Sequence, residues 1–282
     1  MNQKRSPELN LYLGDCVTGL QKYVRPASID ICVTSPPYNL RVRYGAYNDC
    51  RSLDDYLAWT DSWTSQVRNA LKEDGSLFLN VGGSLRMPLL PHLLIDRIVN
   101  RQKLFHLQNT IHWIKSIAVP ERGSERQIGH YKPINSTRFI NDCHEYIFHL
   151  TPNGNTRLDR RAIGIPYADK SNIKRWSHTN GEDLKCKGNT WFIPYKTIVN
   201  RAKDRPHPAT FPTELAVQCI RLHGKNGDST VLDPFLGIGH AALAAVQSRV
   251  AKFVGFEIDR EYLRVAGEEL RGVGANLSIK TV

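Results

Sequence analysis

The 282-residue chain has no run approaching the ~18 consecutive apolar residues that a membrane-spanning helix needs. Its first ten residues are polar and hold no apolar signal core, so the expectation is a cytoplasmic protein (nucleoid-associated in a bacterium, nuclear in a eukaryote). Cysteine is sparse and unpaired. The six, at 16, 32, 50, 143, 186 and 219, include no Cys-x-x-Cys, and no Cys/His run has zinc-finger spacing. Free thiols in a reducing compartment follow, and no metal site. There is no internal repeat and no low-complexity tract. With 41% hydrophobic and 23% charged residues, what remains is a globular chain long enough to bury a full core.

Acid is scarce in one place. The net charge is +11, yet residues 101–205 hold 19 basic and 9 acidic side chains, against 19 and 18 elsewhere. Almost the whole excess lies in the middle third, which suggests a surface for a polyanion, most simply nucleic acid.

Strand and helix signals alternate through the first third. Strands are predicted at Leu9–Leu13, Ile29–Val33, Ser76–Val81 and Gln108–Ile114, with another at Tyr146–Leu150. Helices are predicted at Cys16–Val24, Leu53–Leu71 (Asp54 and Asp55 near its start) and Pro91–Asn100, with a turn at Asp74-Gly75. From 118 to 205 periodicity fades, although Trp176, Trp191 and Tyr195 mark an ordered lobe rather than a linker. The alternation then resumes: helix Pro212–His223, turn Gly224–Gly227, strand Thr230–Leu232, helix His240–Ser248, strand Phe253–Phe256 and helix Tyr262–Leu270. Interleaved strands and helices imply an α/β fold with a mainly parallel sheet covered on both faces, its ligands beyond the carboxyl ends of the strands.

Two segments carry chemistry. In Val231-Leu232-Asp233-Pro234-Phe235-Leu236-Gly237-Ile238-Gly239 a strand empties into a two-glycine turn at a helix start, where backbone can approach a ligand and free N–H groups are offered. About 20 residues on, the next strand ends in Glu257, suited to accept from both ribose hydroxyls. The third glycine of a dinucleotide site is missing, which favours a different nucleoside cofactor. In Thr34-Ser35-Pro36-Pro37-Tyr38-Asn39 the prolines remove donors, leaving the Ser35 hydroxyl and the Pro36 carbonyl as acceptors beside the flat Tyr38 ring. An amino group could donate to both while its planar base stacks on the ring. The same residues would also suit a rigid turn with a half-buried tyrosine.

Thr34–Asn39 resembles the catalytic motif of the DNA amino-methyltransferases. Asp233–Gly239 resembles their S-adenosylmethionine loop and Val254–Glu257 the following ribose-binding strand; Gly14-Asp15-Cys16 and His207-Pro208-Ala209-Thr210-Phe211-Pro212 match further segments. The order is that of the β group. The resemblance implies a circularly permuted, Rossmann-like class I methyltransferase fold with an inserted basic target-recognition lobe. It divides the chain into 1–117, a half bearing the catalytic motif; 118–205, the target-recognition region; and 206–282, a cofactor-binding half.

Family members with Ser at the first catalytic position mostly methylate cytosine N4, and those with Asp there adenine N6. The expected reaction is therefore site-specific methylation of a flipped cytosine at N4 in double-stranded DNA, with adenine N6 as the alternative. No Pro-Cys, the usual setting of the cysteine nucleophile of C5-cytosine methylation, occurs, which argues against that class. Methylation of RNA is a weaker reading. So is methylation of a protein amide, whose enzymes carry Asn where Ser35 stands, and so is a non-catalytic DNA reader that kept the fold.

The resemblance also implies roles. Ser35, Pro36, Pro37 and Tyr38 are catalytic. Asp15, beside Cys16, accepts from the cofactor's adenine, and Glu257 binds its ribose. Asp233, Phe235, Gly237 and Gly239 surround its methionine end, and Thr210 and Phe211 close over it. His240 replaces the family's usual Thr, either as an exposed residue of the first helical turn or as a contact to the methionine carboxylate. Arg160, Arg161, Lys174 and Arg175 are the candidate DNA contacts. A homodimer and a cognate restriction endonuclease are the partners such enzymes suggest.

Overall fold

The computed structural model describes residues 7–42, 44–115, 136–140, 142–194, 210–225 and 227–282. Tyr195 and His207-Pro208-Ala209 lie outside the described residues.

The amino-terminal part runs β1 (Glu8–Leu13), α1 (Cys16–Tyr23), β2 (Ile29–Thr34), α2 (Leu53–Ala70) and β3 (Leu71–Val81). Two side-chain caps set these helices. Asp15 accepts from the amides of Val17 and Thr18, and Ser52 accepts from that of Asp55. Every residue of β2 is buried, Asp30 included, as in a central strand covered on both faces. Then follow α3 (Leu90–Ile95), β4 (His106–Ile114), β5 (His144–Thr151), α4 (Ser171–Arg175) and β6 (Thr190–Phe192). The carboxyl-terminal part is α5 (Thr213–His223), β7 (Thr230–Asp233), α6 (His240–Gln247), β8 (Lys252–Glu257), α7 (Arg260–Gly272) and β9 (Asn276–Thr281).

One nine-stranded sheet collects them in the order β6-β4-β5-β3-β2-β7-β8-β1-β9. Only β5 runs against the rest. The first strand of the chain lies between β8 and β9, the last two, so the chain starts beside one edge of the sheet, crosses to its middle at β2 and returns to the same edge at its end. That is the permuted class I arrangement. Helices α5, α6 and α7 pack Leu215, Ala242 and Leu263 on one face. Helices α1, α2 and α3 pack Leu20, Trp63 and Leu94 on the other.

Three expectations shift. Asp74-Gly75 is not a free turn, because β3 leaves α2 directly. Its register then slips, pairing Ile29 with Leu71 but Ile31 with Ser76. The helix expected over Pro91–Asn100 is α only to Ile95 and continues as a π-helical turn, Asp96–Arg101. Segment 118–205 is not wholly an insertion, since β5 and β6 belong to the sheet. Trp191 of β6 is buried, and the Trp113 indole donates to the Ile193 carbonyl. Strand β9, largely exposed, had no reading in the sequence.

At the amino end of the strands, buried Asp30 joins β2, β3 and β7. It accepts from Lys72 at 2.8 Å and from the Thr230 amide at 2.9 Å.

Candidate active site

The carboxyl ends of β1, β2, β3, β4, β7 and β8 meet at one rim. Because β5 is reversed, its first residues arrive there too. The rim encloses a cavity of about 270 Å3.

On the β7–β8 side the turn Pro234–Gly239 leads into α6. Gly237 and Gly239 have φ of 54° and 91°, the left-handed region that glycine adopts without strain. Glu257, at the end of β8, braces this turn: one carboxylate oxygen accepts from the Gly237 amide at 2.7 Å and the other from the Asp259 amide at 2.8 Å. Burial pushes the Glu257 carboxyl up to about 7. Each oxygen keeps a lone pair for a further donor such as a ribose hydroxyl. Asp15, Cys16, Thr210, Phe211, Phe235, Gly237, His240 and Glu257 all line the cavity.

Asp233 and Gly239 stand behind the lining. Asp233 accepts from the Thr34 hydroxyl at 2.7 Å and the Phe235 amide at 3.0 Å, and burial pushes it up to about 7. It locks the loop after β7 to the loop after β2. Gly239 caps α6. His240 is neither a bare surface residue nor free to turn both nitrogens to a ligand. Its Nδ1 lies 2.6 Å from the Phe211 carbonyl, which can only accept, so Nδ1 donates and holds Phe211 at the cavity wall. Asp15 uses one oxygen as the α1 cap.

On the β2 side, Tyr56 of α2 donates to the Pro37 carbonyl at 2.7 Å. Among the described residues none donates to the Pro36 carbonyl. The Ser35 and Tyr38 hydroxyls are 2.7 Å apart. Tyr38 also reaches the Asn80 carbonyl at 3.2 Å and Glu145 at 3.1 Å. Its ring therefore stands at the wall with its hydroxyl tied inward.

The sequence had not pointed to Glu145. The expectation that ligands sit past carboxyl ends directed attention to where strands finish, and Glu145 is near the start of β5. Nor had it pointed to the loop 39–51, which places Tyr44 and Tyr47 on the cavity. Here the carboxylate of buried Asp49 accepts from the amides of Asn39, Leu40 and Val42. Asn39 exchanges two hydrogen bonds with the Arg51 backbone. The pattern of one acid facing three amides across ten residues has no periodic signature.

The four candidate DNA cations are not brought to the rim. Arg160 and Arg161 occupy a turn whose Asp159 amide donates to Leu222, near the carboxyl end of α5 and at the opposite end of the sheet. Arg161 is moreover ion-paired with Glu182. Lys174 and Arg175 are exposed on α4 and do not line the cavity.

A nucleoside cofactor fits this cavity on internal grounds. Two acids, Asp15 and Glu257, end adjacent strands beside a glycine turn at a helix start. The Tyr47 hydroxyl is buried in the wall with no partner among the described residues, which calls for a ligand acceptor or donor there.

The sheet order, the rim and this cavity together define a class I methyltransferase with S-adenosylmethionine as cofactor. The solved structure of the PvuII DNA methyltransferase (cytosine-N4-specific) superposes with a TM-score of 0.66 at 19% identity, over 93% of this chain and 88% of that one. TTHA0409 of Thermus thermophilus, solved in complex with S-adenosyl-L-methionine, gives 0.62 at 25% identity, over 98% of both chains. The Type II methyltransferase M.ScaI of Streptomyces caespitosus is 28% identical over 95% of this chain and 83% of its own. The N6/N4 DNA methylase family matches residues 29–268, and the chain belongs to it. Among the described residues no helix is long and apolar enough to cross a membrane.

Proposed function

We propose that this DNA methyltransferase acts on the exocyclic N4 of a cytosine flipped out of double-stranded DNA. The observation that carries the reading is a serine hydroxyl, Ser35, standing at the cavity beside the Pro36 carbonyl, which has no donor among the described residues. When bound, S-adenosylmethionine supplies an electrophilic methyl group on a sulfonium. The chain's own part is positioning. Ser35 and the Pro36 carbonyl accept the two amino protons and aim the nitrogen lone pair, while Pro37 stiffens the loop. The Tyr38 ring stacks the base. This is orientation plus preorganised dipoles. The target nitrogen is inaccessible inside a duplex, so the base must leave the stack. Glu257 and Asp15 hold the nucleoside end of the cofactor; Phe235, Gly237 and His240-braced Phe211 with Thr210 enclose the rest, on a frame set by Asp233 and Gly239.

The basic middle third, less β5 and β6, is the target-recognition region in this reading. Exposed Lys174 and Arg175 are better phosphate ligands there than Arg160 or paired Arg161. A cognate restriction endonuclease as partner is in keeping with the Type II designation of the relative M.ScaI.

The test is mass spectrometry of nucleosides from unmodified genomic DNA incubated with the protein and isotopically labelled cofactor. Labelled N4-methylcytosine is expected. Label confined to N6-methyladenine would replace the base assignment, and absence of label in DNA would remove the reading.

A further inference from the structure

Glu145 has no role in the reading above, yet its carboxylate accepts from three side chains at the rim. It is 12% exposed. One carboxylate oxygen accepts from the Asn80 amide at 2.7 Å and the Tyr38 hydroxyl at 3.1 Å; the other accepts from Lys115 at 3.1 Å. Neighbouring Gly82 leaves no room for a Cβ against its methylene.

Donor counting then orders the protons of this group. Tyr38 has a single hydroxyl proton, and its hydroxyl reaches the Ser35 hydroxyl, the Asn80 carbonyl and the Glu145 carboxylate. Two of them, the Asn80 carbonyl and the salt-bridged carboxylate, can only accept. The tyrosine proton points to those two, with the charged acceptor the stronger. The 2.7 Å contact between Tyr38 and Ser35 must therefore be filled by the serine proton. Ser35 is left presenting only lone pairs to the cavity.

We propose that Glu145 is a positioning residue that holds Ser35 as an obligate acceptor and drains the reaction's proton through Tyr38. The inference rests on methyl transfer to an amino group and is indifferent to whether the base is cytosine or adenine. In that transfer the nitrogen lone pair forms the N–C bond, the S–C bond breaks, and its electron pair stays on sulfur. The positive charge passes to a nitrogen that carries one proton too many. Ser35 takes that proton and releases its own to Tyr38, which releases its own to Glu145. The proton ends on the Glu145 carboxylate. Atoms and charge balance without any further reactant. A hydroxyl chain without an acid at its end would orient the base but retain no sink for the proton.

The experiment uses the full chain, with enzyme in excess over sites on unmodified genomic DNA and labelled cofactor. Glu145→Gln removes the sink, and Tyr38→Phe keeps the stacking ring while cutting the chain. Each should slow single-turnover transfer about tenfold to hundredfold. Affinities for S-adenosylmethionine and for DNA should stay within about twofold of wild type. The double variant should be no slower than the slower single one, because the two act as one unit. A wild-type rate in either variant overturns the proposal. So do losses that multiply in the double variant, or an affinity loss matching the rate loss. If Glu145→Gln fails to fold, Tyr38→Phe alone decides by its rate. No label entering DNA with the wild-type protein would instead sink the methyltransferase reading, and this inference with it.

Discussion

Glu257 shows how far one residue can serve structure and ligand at once. Its two oxygens hold the Gly237 and Asp259 amides, so it shapes the turn that we propose receives the cofactor. The cost of that placement is visible in its raised carboxyl, which burial lifts to about 7. Glu257→Gln keeps the size but puts an NH2 group against one of two backbone donors, and removes the charge that makes ribose hydrogen bonds strong. Affinity for S-adenosylmethionine should fall about tenfold to hundredfold, since hydrogen bonds to a charged partner are worth roughly 1.5–3 kcal/mol. DNA affinity measured without cofactor should stay unchanged. Calorimetric titration of both ligands checks this, and a parallel loss of DNA affinity would show that the turn, not the ribose, was the casualty.

Among the elements, those that bury a periodic face were legible. Helix α2 had its acids near the start and its apolar stripe, and β2 had Ile31, Cys32 and Val33 running into the Ser35-Pro36-Pro37 stop; both lie within a residue of the expected bounds. The glycine turn and Glu257 were legible because they punctuate strands. What escaped is what periodicity does not encode. Strand β6 is three residues long and held by tryptophan packing, β9 is an exposed edge, and the reversal of β5 is a property of pairing partners. The 39–51 loop escaped for the same reason. Its fold is one acid satisfying three amides, and Gly45 packs on the Asp259 carboxylate where a Cβ would not fit. Asp49→Ala would leave those three donors without their acceptor. The loop carrying Tyr44 and Tyr47 should then open, exposing Arg41 and Arg51 to trypsin and weakening cofactor binding about tenfold. Limited proteolysis with and without cofactor reads both effects. A digestion pattern identical to wild type would mean that the aromatic contacts of Arg51 with Tyr47 and Trp59 suffice to hold the loop.

For the whole molecule, the end of the sheet opposite the rim carries a buried polar chain that links β3, β4, β5 and α5. The Asn109 amide donates to His149 Nδ1 at 2.9 Å, which leaves His149 Nε2 as the donor to the Ser76 hydroxyl at 2.9 Å. Ser76 then donates to His223 Nδ1 at 2.9 Å, and His223 Nε2 is buried with no partner among the described residues. A proton added to His149 Nδ1 or to His223 Nδ1 would face a donor. Burial lowers His149 to about 3, aided by His223, and lowers His223 to about 4, aided by Lys225. Both folded values lie below the ordinary 6.5, so below that pH the unfolded chain binds more protons than the folded one. Their contribution is therefore complete above about 6.5 and is lost as pH falls towards 4 and then 3. Asp233 and Glu257, raised to about 7, act oppositely, because the folded state holds their protons as pH rises from about 4. The wild-type profile mixes both, so the test is a difference. His223→Gln can still accept from Ser76 but does not titrate. The stability of wild type minus that of the variant should shrink by about 2–3 kcal/mol between pH 7 and pH 4, and hold steady from 7 to 8. Urea unfolding of both proteins at each pH measures it. A constant difference across that range would mean that His223 is solvated or already charged at neutral pH, and that the proton order assigned to the chain is wrong.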